Sequence, residues 1–127
     1  MTALVLDAGA LVGVDRNDRA VMAKLRVAEQ SGLELRSTGV VIAEAWRDGG
    51  GRQANLARLL KAVDVQPVDE HLGRRAGALL GKASVTDAAD ATVVAVAATG
   101  DRVLTSDPAD IRALIGASGR AIHVVAC

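Results

Sequence analysis

Leu4-Val5-Leu6-Asp7-Ala8-Gly9-Ala10-Leu11-Val12 is the stretch that decides the fold. Its first three residues read as a buried strand, and an acid follows at once. Ala8 to Val12 then turn into a short helix ending around Asp15. A lone carboxylate beside a core-forming run is costly to bury unless something positive meets it. The pattern returns near the other end of the chain as Val103-Leu104-Thr105-Ser106-Asp107. Two strands that each end in an acid suggest a parallel α/β sheet, in which ligands bind beyond the carboxyl ends of the strands.

The segments between fit that arrangement. Asp18 is a cap for a helix running to about Gln30, with Val21, Leu25 and Ala28 on one face, and Ser31-Gly32 ends it. Leu33–Arg36 is a second strand. Thr38 caps a helix carrying Glu44 and Trp46, and the run Asp48-Gly49-Gly50-Gly51-Arg52 breaks it. A helix with Leu56, Leu59, Leu60 and Val63 precedes a strand over Asp64–Val68. Asp69 caps a helix over Glu70–Ala83, and a further helix spans Asp87–Thr99. Arg102–Thr105 is a strand, Asp110–Ile115 a helix and Ile122–Val125 a last strand. Alternating strands and helices predict a mainly parallel sheet with helices on both faces, in one domain spanning residues 1–127.

Composition narrows the function. Half of the 127 residues are hydrophobic and 24% are charged, as in a globular chain with a core. Trp46 is the only aromatic residue, so the core is aliphatic and aromatic platforms for single-stranded nucleic acid are excluded. Net charge is zero but skewed, with 12 Arg against 3 Lys. Arg binds phosphate in a bidentate fork, although genome composition produces the same bias. The single Cys127 permits no internal disulfide and fits a reducing cytosol. No basic-then-apolar leader precedes Asp7, and no apolar run is long enough for a membrane span, so a cytoplasmic protein is expected.

The acids carry the chemistry. Glu44 sits in Val40-Val41-Ile42-Ala43-Glu44-Ala45-Trp46, and Asp90 opens an apolar helical run through Ala98. Taken singly, Asp7, Asp87, Asp90 and Asp107 are each better explained as helix caps or turn residues. Taken together the weights reverse, because caps have no need to share one end of a sheet. Asp87 and Asp90, three apart, share one side of their helix. Asp110 is a weaker candidate that serves equally as the cap of a helix from Ile111. Converging carboxylates repel unless a cation neutralises them, and Mg²⁺ or Mn²⁺ prefers oxygen ligands. Such an ion activates water, and a pair of ions clamps the attacking and leaving oxygens of a phosphodiester.

Asp7 after a first strand, Glu44 on a helix, Thr86-Asp87-Ala88-Ala89-Asp90-Ala91-Thr92-Val93-Val94-Ala95 and Val103-Leu104-Thr105-Ser106-Asp107-Pro108-Ala109-Asp110-Ile111 together resemble a PIN domain. More closely, the chain resembles the VapC toxins of bacterial toxin–antitoxin pairs, over essentially its whole length. The resemblance implies a three-layer α/β/α sandwich and a Mg²⁺- or Mn²⁺-dependent endoribonuclease. Asp7, Glu44, Asp90 and Asp107 would form the metal site, with Asp7 and Asp90 as direct ligands. Asp87 and Asp110 would stand behind it or serve a second ion. Thr105 and Ser106 would hydrogen-bond a ligand carboxylate or the phosphate. The resemblance also implies an RNA substrate, a homodimer and a small VapB-like antitoxin whose tail blocks the pocket. One departure concerns position 106, where the family's motif often has an Arg suited to phosphate and this chain has Ser106.

Other chemistries fit less well. Gly77-Ala78-Leu79-Leu80-Gly81-Lys82 fails as a phosphate loop, with Ala76 and Ala83 at required positions. Gly9 replaces the second acid that an aspartyl phosphatase would want. His71 and His123 have no Cys partner and read as surface or packing residues. Arg47 and Arg52 flank the glycine loop and are weak candidates for touching RNA. Gly73, Gly77 and Gly81 share one face of their helix, which predicts an element packed very close to it. Two alternatives stay open: another metal-dependent phosphoryl hydrolase acting on DNA or nucleotides, and a catalytically silent binding module.

Overall fold

The structure, a computed structural model, describes residues 2–48 and 50–127. Gly49, in the expected glycine loop, and Met1 lie outside the described residues. In chain order the elements are β1 (Ala3–Leu6), α1 (Ala8–Asp15), α2 (Arg19–Gln30), β2 (Glu34–Thr38), α3 (Gly39–Ala45) and α4 (Ala54–Leu60), then β3 (Val63–Gln66), α5 (Glu70–Ala83), α6 (Ala88–Val96), β4 (Arg102–Thr105), α7 (Pro108–Ser118) and β5 (His123–Ala126).

All strand pairs are parallel, in the order β3-β2-β1-β4-β5. Parallel strands need crossovers, and right-handed crossovers put helices on opposite faces when a sheet grows in opposite directions. The chain grows from β1 through β2 to β3, then returns to β4 and β5. Helices α1 to α4 therefore cover one face and α5 to α7 the other, giving an α/β/α sandwich. Leu6, Leu104, Leu11, Leu56, Ile111 and Leu114 are fully buried in its core, each such side chain contributing roughly 2 kcal/mol. Residues Ala89 to Ala95 of α6 are all buried. The small side chains Ala, Thr and Val let this helix pass between α5, α7, α3 and the sheet.

Beyond shifts of a few residues at other element ends, such as β2 at Glu34–Thr38 rather than Leu33–Arg36 and Trp46 just past the end of α3, four details depart from the sequence reading. Val63 belongs to β3 rather than to the preceding helix, and pairs with Leu35. Helix α6 stops at Val96, short of Thr99: Ala97 is extended (ψ 140°) and the Ala98 N–H turns to Asp101 Oδ2 at 2.8 Å. Helix α7 starts at Pro108, capped by Asp107 rather than by Asp110, with proline where its missing N–H costs nothing. The expected close packing on the α5 glycines is absent. A Cβ built at Gly73, Gly77 or Gly81 meets nothing within 4 Å, so that face is open. No helix among the described residues is long and apolar enough to cross a membrane.

Asp101, read from sequence only as part of a turn, is 3% exposed. It accepts from the Ala3 N–H at 2.9 Å and the Ala98 N–H at 2.8 Å and pairs with Arg36 at 3.3 Å. It thereby ties β1, β2 and the end of α6 together at the amino ends of β1 and β4, opposite Asp7 and Asp107 at their carboxyl ends.

Candidate metal centre

The order of strands fixes where a site can form. Growth of the sheet reverses between β1 and β4, which opens a crevice at their carboxyl ends. Asp7 follows β1 and Asp107 follows β4. The Asp7 N–H donates to Leu104 O at 3.2 Å, continuing the sheet ladder by one step. The Asp7 carboxylate, 1% exposed, accepts from the Ala10 N–H at 2.8 Å and the Ser106 N–H at 3.0 Å. Its capping bond to α1 and its grip on the β4 loop thus coexist.

Asp87 and Asp107 are also helix caps. Asp87 caps α6, accepting from the Asp90 N–H at 3.0 Å. Asp107 caps α7, accepting from the Asp110 N–H at 3.3 Å. Helices α1, α6 and α7 therefore all point their N-termini, where the backbone carries partial positive charge, at one place. Caps and cluster are not rival readings here, because the topology starts these helices at the same end of the sheet.

Asp90, Asp107 and Asp110 form the tight group. One carboxylate oxygen from each lies within 4.8 Å of the other two. Opposite ligands of an octahedral Mg²⁺ stand roughly 4.2 Å apart, so a small inward movement of side chains would fit them to one ion. The donors are carboxylate oxygens, the set that suits Mg²⁺ or Mn²⁺ and not a thiophilic metal. Asp110, ranked below the four main acids from sequence, lies inside this group; Asp7 and Glu44 lie outside it, within reach of its field.

Burial, and then the like charges gathered here, raise three of these carboxyls. Burial pushes the Asp90 carboxyl up to about 7, aided by the charges of Asp87, Asp7, Asp107 and Asp110 in that order. Asp110 is also raised, through lost hydration, then the charge of Asp107 and a hydrogen bond with it. Glu44, although exposed at the end of α3, is raised by partial loss of hydration and then by Asp87 and Asp7, with Arg47 opposing. A divalent cation among these groups would neutralise the like charges that add to burial in all three shifts.

The polar residues of the last motif contribute through atoms the sequence did not indicate. Thr105 is buried, and its Oγ1 accepts from the Asp107 N–H at 2.8 Å. Ser106 reaches Asp7 with its backbone N–H, and its side chain is exposed. The Arg47 guanidinium is spent on Ala43 O at 3.0 Å and Trp46 O at 2.8 Å, at the end of its own helix. Arg52 is exposed.

Two supporting features escaped the sequence reading. A Cβ at Gly9 would fall 1.9 Å from Ser106 Oγ and 2.4 Å from its Cβ, so only glycine lets the β4 loop close on Asp7. A glycine two residues after a strand-end acid was the available signal. Thr38 and Thr92, both buried, share a hydrogen bond of 2.8 Å, and Thr92 donates to Ala89 O at 2.7 Å. Thr38 also accepts from the Val41 N–H at 3.3 Å. This chain ties the start of α3 to the first turns of α6, and so relates Glu44 to Asp90.

No family model and no curated protein matches this chain. Solved structures do match. A chain of the crystal structure of VapBC2 from Rickettsia felis, bound to a DNA fragment from their promoter, aligns with a TM-score of 0.69. The alignment covers 98% of this chain and 99% of that one at 10% identity. At that identity the likeness is one of fold.

Proposed function

We propose that this protein is a Mg²⁺- or Mn²⁺-dependent endoribonuclease of the PIN type, the toxin of a toxin–antitoxin pair, with residues 1–127 acting as one domain. The observation that carries the reading is the gathering of Asp90, Asp107 and Asp110 beside Asp7 at the point where sheet growth reverses. Asp90, Asp107 and Asp110, with Asp7 beside them, would hold the ion; Asp7 also orients the β4 loop through the Ser106 N–H. Glu44 and Asp87, whose charges reach each other, with Asp87 also reaching Asp90, would position the attacking water or a second ion. When bound, the ion supplies Lewis acidity to the phosphate and lowers the pKa of water. The carboxylates act as ligands and not as covalent nucleophiles.

The likeness to a chain of a VapBC complex supports the partner side of the reading. A small VapB-like antitoxin would cover the acidic cup, and the toxin itself would be a cytoplasmic homodimer. The test is cleavage of a labelled RNA in Mg²⁺ or Mn²⁺, with EDTA controls and matched DNA and nucleotide substrates. RNA cleavage that EDTA stops, and that Asp7→Asn abolishes without unfolding the protein, is expected. Cleavage of DNA or nucleotides alone would move the assignment to another phosphoryl hydrolase. An Asp7→Asn variant as fast as the parent would end it.

A further inference from the structure

A second site of opposite charge lies at the far end of α6. Arg36 Nη1 donates to Val96 O at 3.0 Å, Arg75 Nη2 to Ala95 O at 2.8 Å, and Arg120 Nη2 to Val94 O at 2.9 Å, while Arg120 Nη1 meets Ala97 O. One cation near a helix C-terminus is ordinary, because it answers the negative end of the dipole. Three guanidinium groups on one helix end exceed that need. Arg36 is neutralised by Asp101 at 3.3 Å, with Glu34 and Asp64 at 3.8 Å. Among the described residues no carboxylate pairs with Arg75 or Arg120. Burial and then the charge of Arg75 lower the pKa of Arg120, with the more distant charge of Asp101 opposing.

These two arginines stand between adjoining open cavities of about 490 and 240 Å³. His71 and Arg36 line the larger, while Lys82 and Ser118 line the smaller. Asp69, the acid on the wall, is turned to cap α5 by accepting from the Leu72 N–H at 2.9 Å. Leu72 and Pro67 add an apolar side to the larger cavity. Each guanidinium has five donors in a rigid fork, so those not used on the α6 carbonyls remain for an oxyanion.

We propose that this cleft binds a phosphate-bearing ligand of nucleotide size, with the phosphate between Arg75 and Arg120 and Lys82 at its rim. The larger cavity falls in the range that holds small ligands. The site is independent of the acidic cup: Asp90 lies in the first turn of α6 and the arginines meet its last turn. It therefore needs no metal.

The test is calorimetric titration of the full chain in EDTA at low ionic strength, with pyrophosphate and with 5′-AMP. Saturable binding of both is expected. Arg75→Gln should weaken it by about tenfold or more, since a bidentate charged contact is lost. Lys82→Glu, at an exposed position, keeps the test decisive if Arg75→Gln fails to fold, and should also weaken binding. Asp90→Asn should leave the affinity unchanged. The proposal is overturned if the parent shows no saturable binding, or if Lys82→Glu and a folded Arg75→Gln bind as well as the parent. It is likewise overturned if only a single-stranded RNA oligonucleotide binds and neither small probe does.

Discussion

Asp90→Asn should stabilise the metal-free protein at neutral pH while removing its affinity for metal. The folded protein holds the Asp90 proton up to about pH 7, whereas the unfolded chain releases it near 3.8. Between those values the folded state binds more protons, so stability falls as pH rises. The window is about three pH units at about 1.4 kcal/mol each, on the order of 4 kcal/mol at most. Asparagine carries no such burden. Urea unfolding in EDTA should therefore give parent and variant similar stability near pH 4, with the variant ahead by a growing margin up to pH 8. Adding Mn²⁺ at pH 8 narrows that margin: at a concentration of about 100 Kd the parent gains roughly 2.7 kcal/mol, and the variant little. A difference that stays flat from pH 4 to 8 would refute the reasoning, and so would a variant less stable than the parent at pH 8. Either result would mean that Asp90 is not buried among like charges.

Gly9→Ala should cost roughly 1–3 kcal/mol, because its methyl group meets the Ser106 Cβ and cannot simply rotate away. It should also weaken Mn²⁺ binding by moving the loop that carries Asp107; unchanged Mn²⁺ affinity on titration would count against the role given to Ser106. Gly77→Ala should stabilise the fold by about 0.5–1 kcal/mol, since the position is helical, exposed and open. A loss in thermal melting would restore the close packing that the sequence suggested. Asp101→Ala should cost roughly 3–5 kcal/mol, because it strands Arg36 and two backbone N–H groups. Chemical denaturation checks this, and a loss below about 1 kcal/mol would show that water replaces the carboxylate.

The sheet was legible because β1, β4 and β5 are built on short aliphatic runs and side-chain caps mark the helix starts. Asp18, Thr38 and Asp69 cap where their side chains said they would, and α5 has the expected bounds. Boundaries failed where tertiary contacts overrode local pattern. Val63 continues the apolar spacing of α4 but is claimed by its pairing with Leu35, and Asp101 ends α6 by capturing a backbone N–H. The glycine stripe misled because a run of small residues has the same spacing whether a neighbour fills it or solvent does. At the candidate site the sequence could bring the acids to one end of the sheet, but not rank them. Ligand distance depends on rotamers, so the inclusion of Asp110 in the tight group was not readable from its spacing to Asp107. The arginines at the end of α6 come from β2, α5 and the residue after Gly119, and no local motif joins them.

The carboxylate of Asp7 is gripped by a main-chain N–H that lies 99 residues further along the chain. During synthesis the N-terminal strand leaves the ribosome long before its partner loop exists. Until Ser106 has emerged and docked, that acid has only its local bond from the Ala10 N–H. The crevice between β1 and β4 is thus completed only when the β4 loop has docked on Asp7.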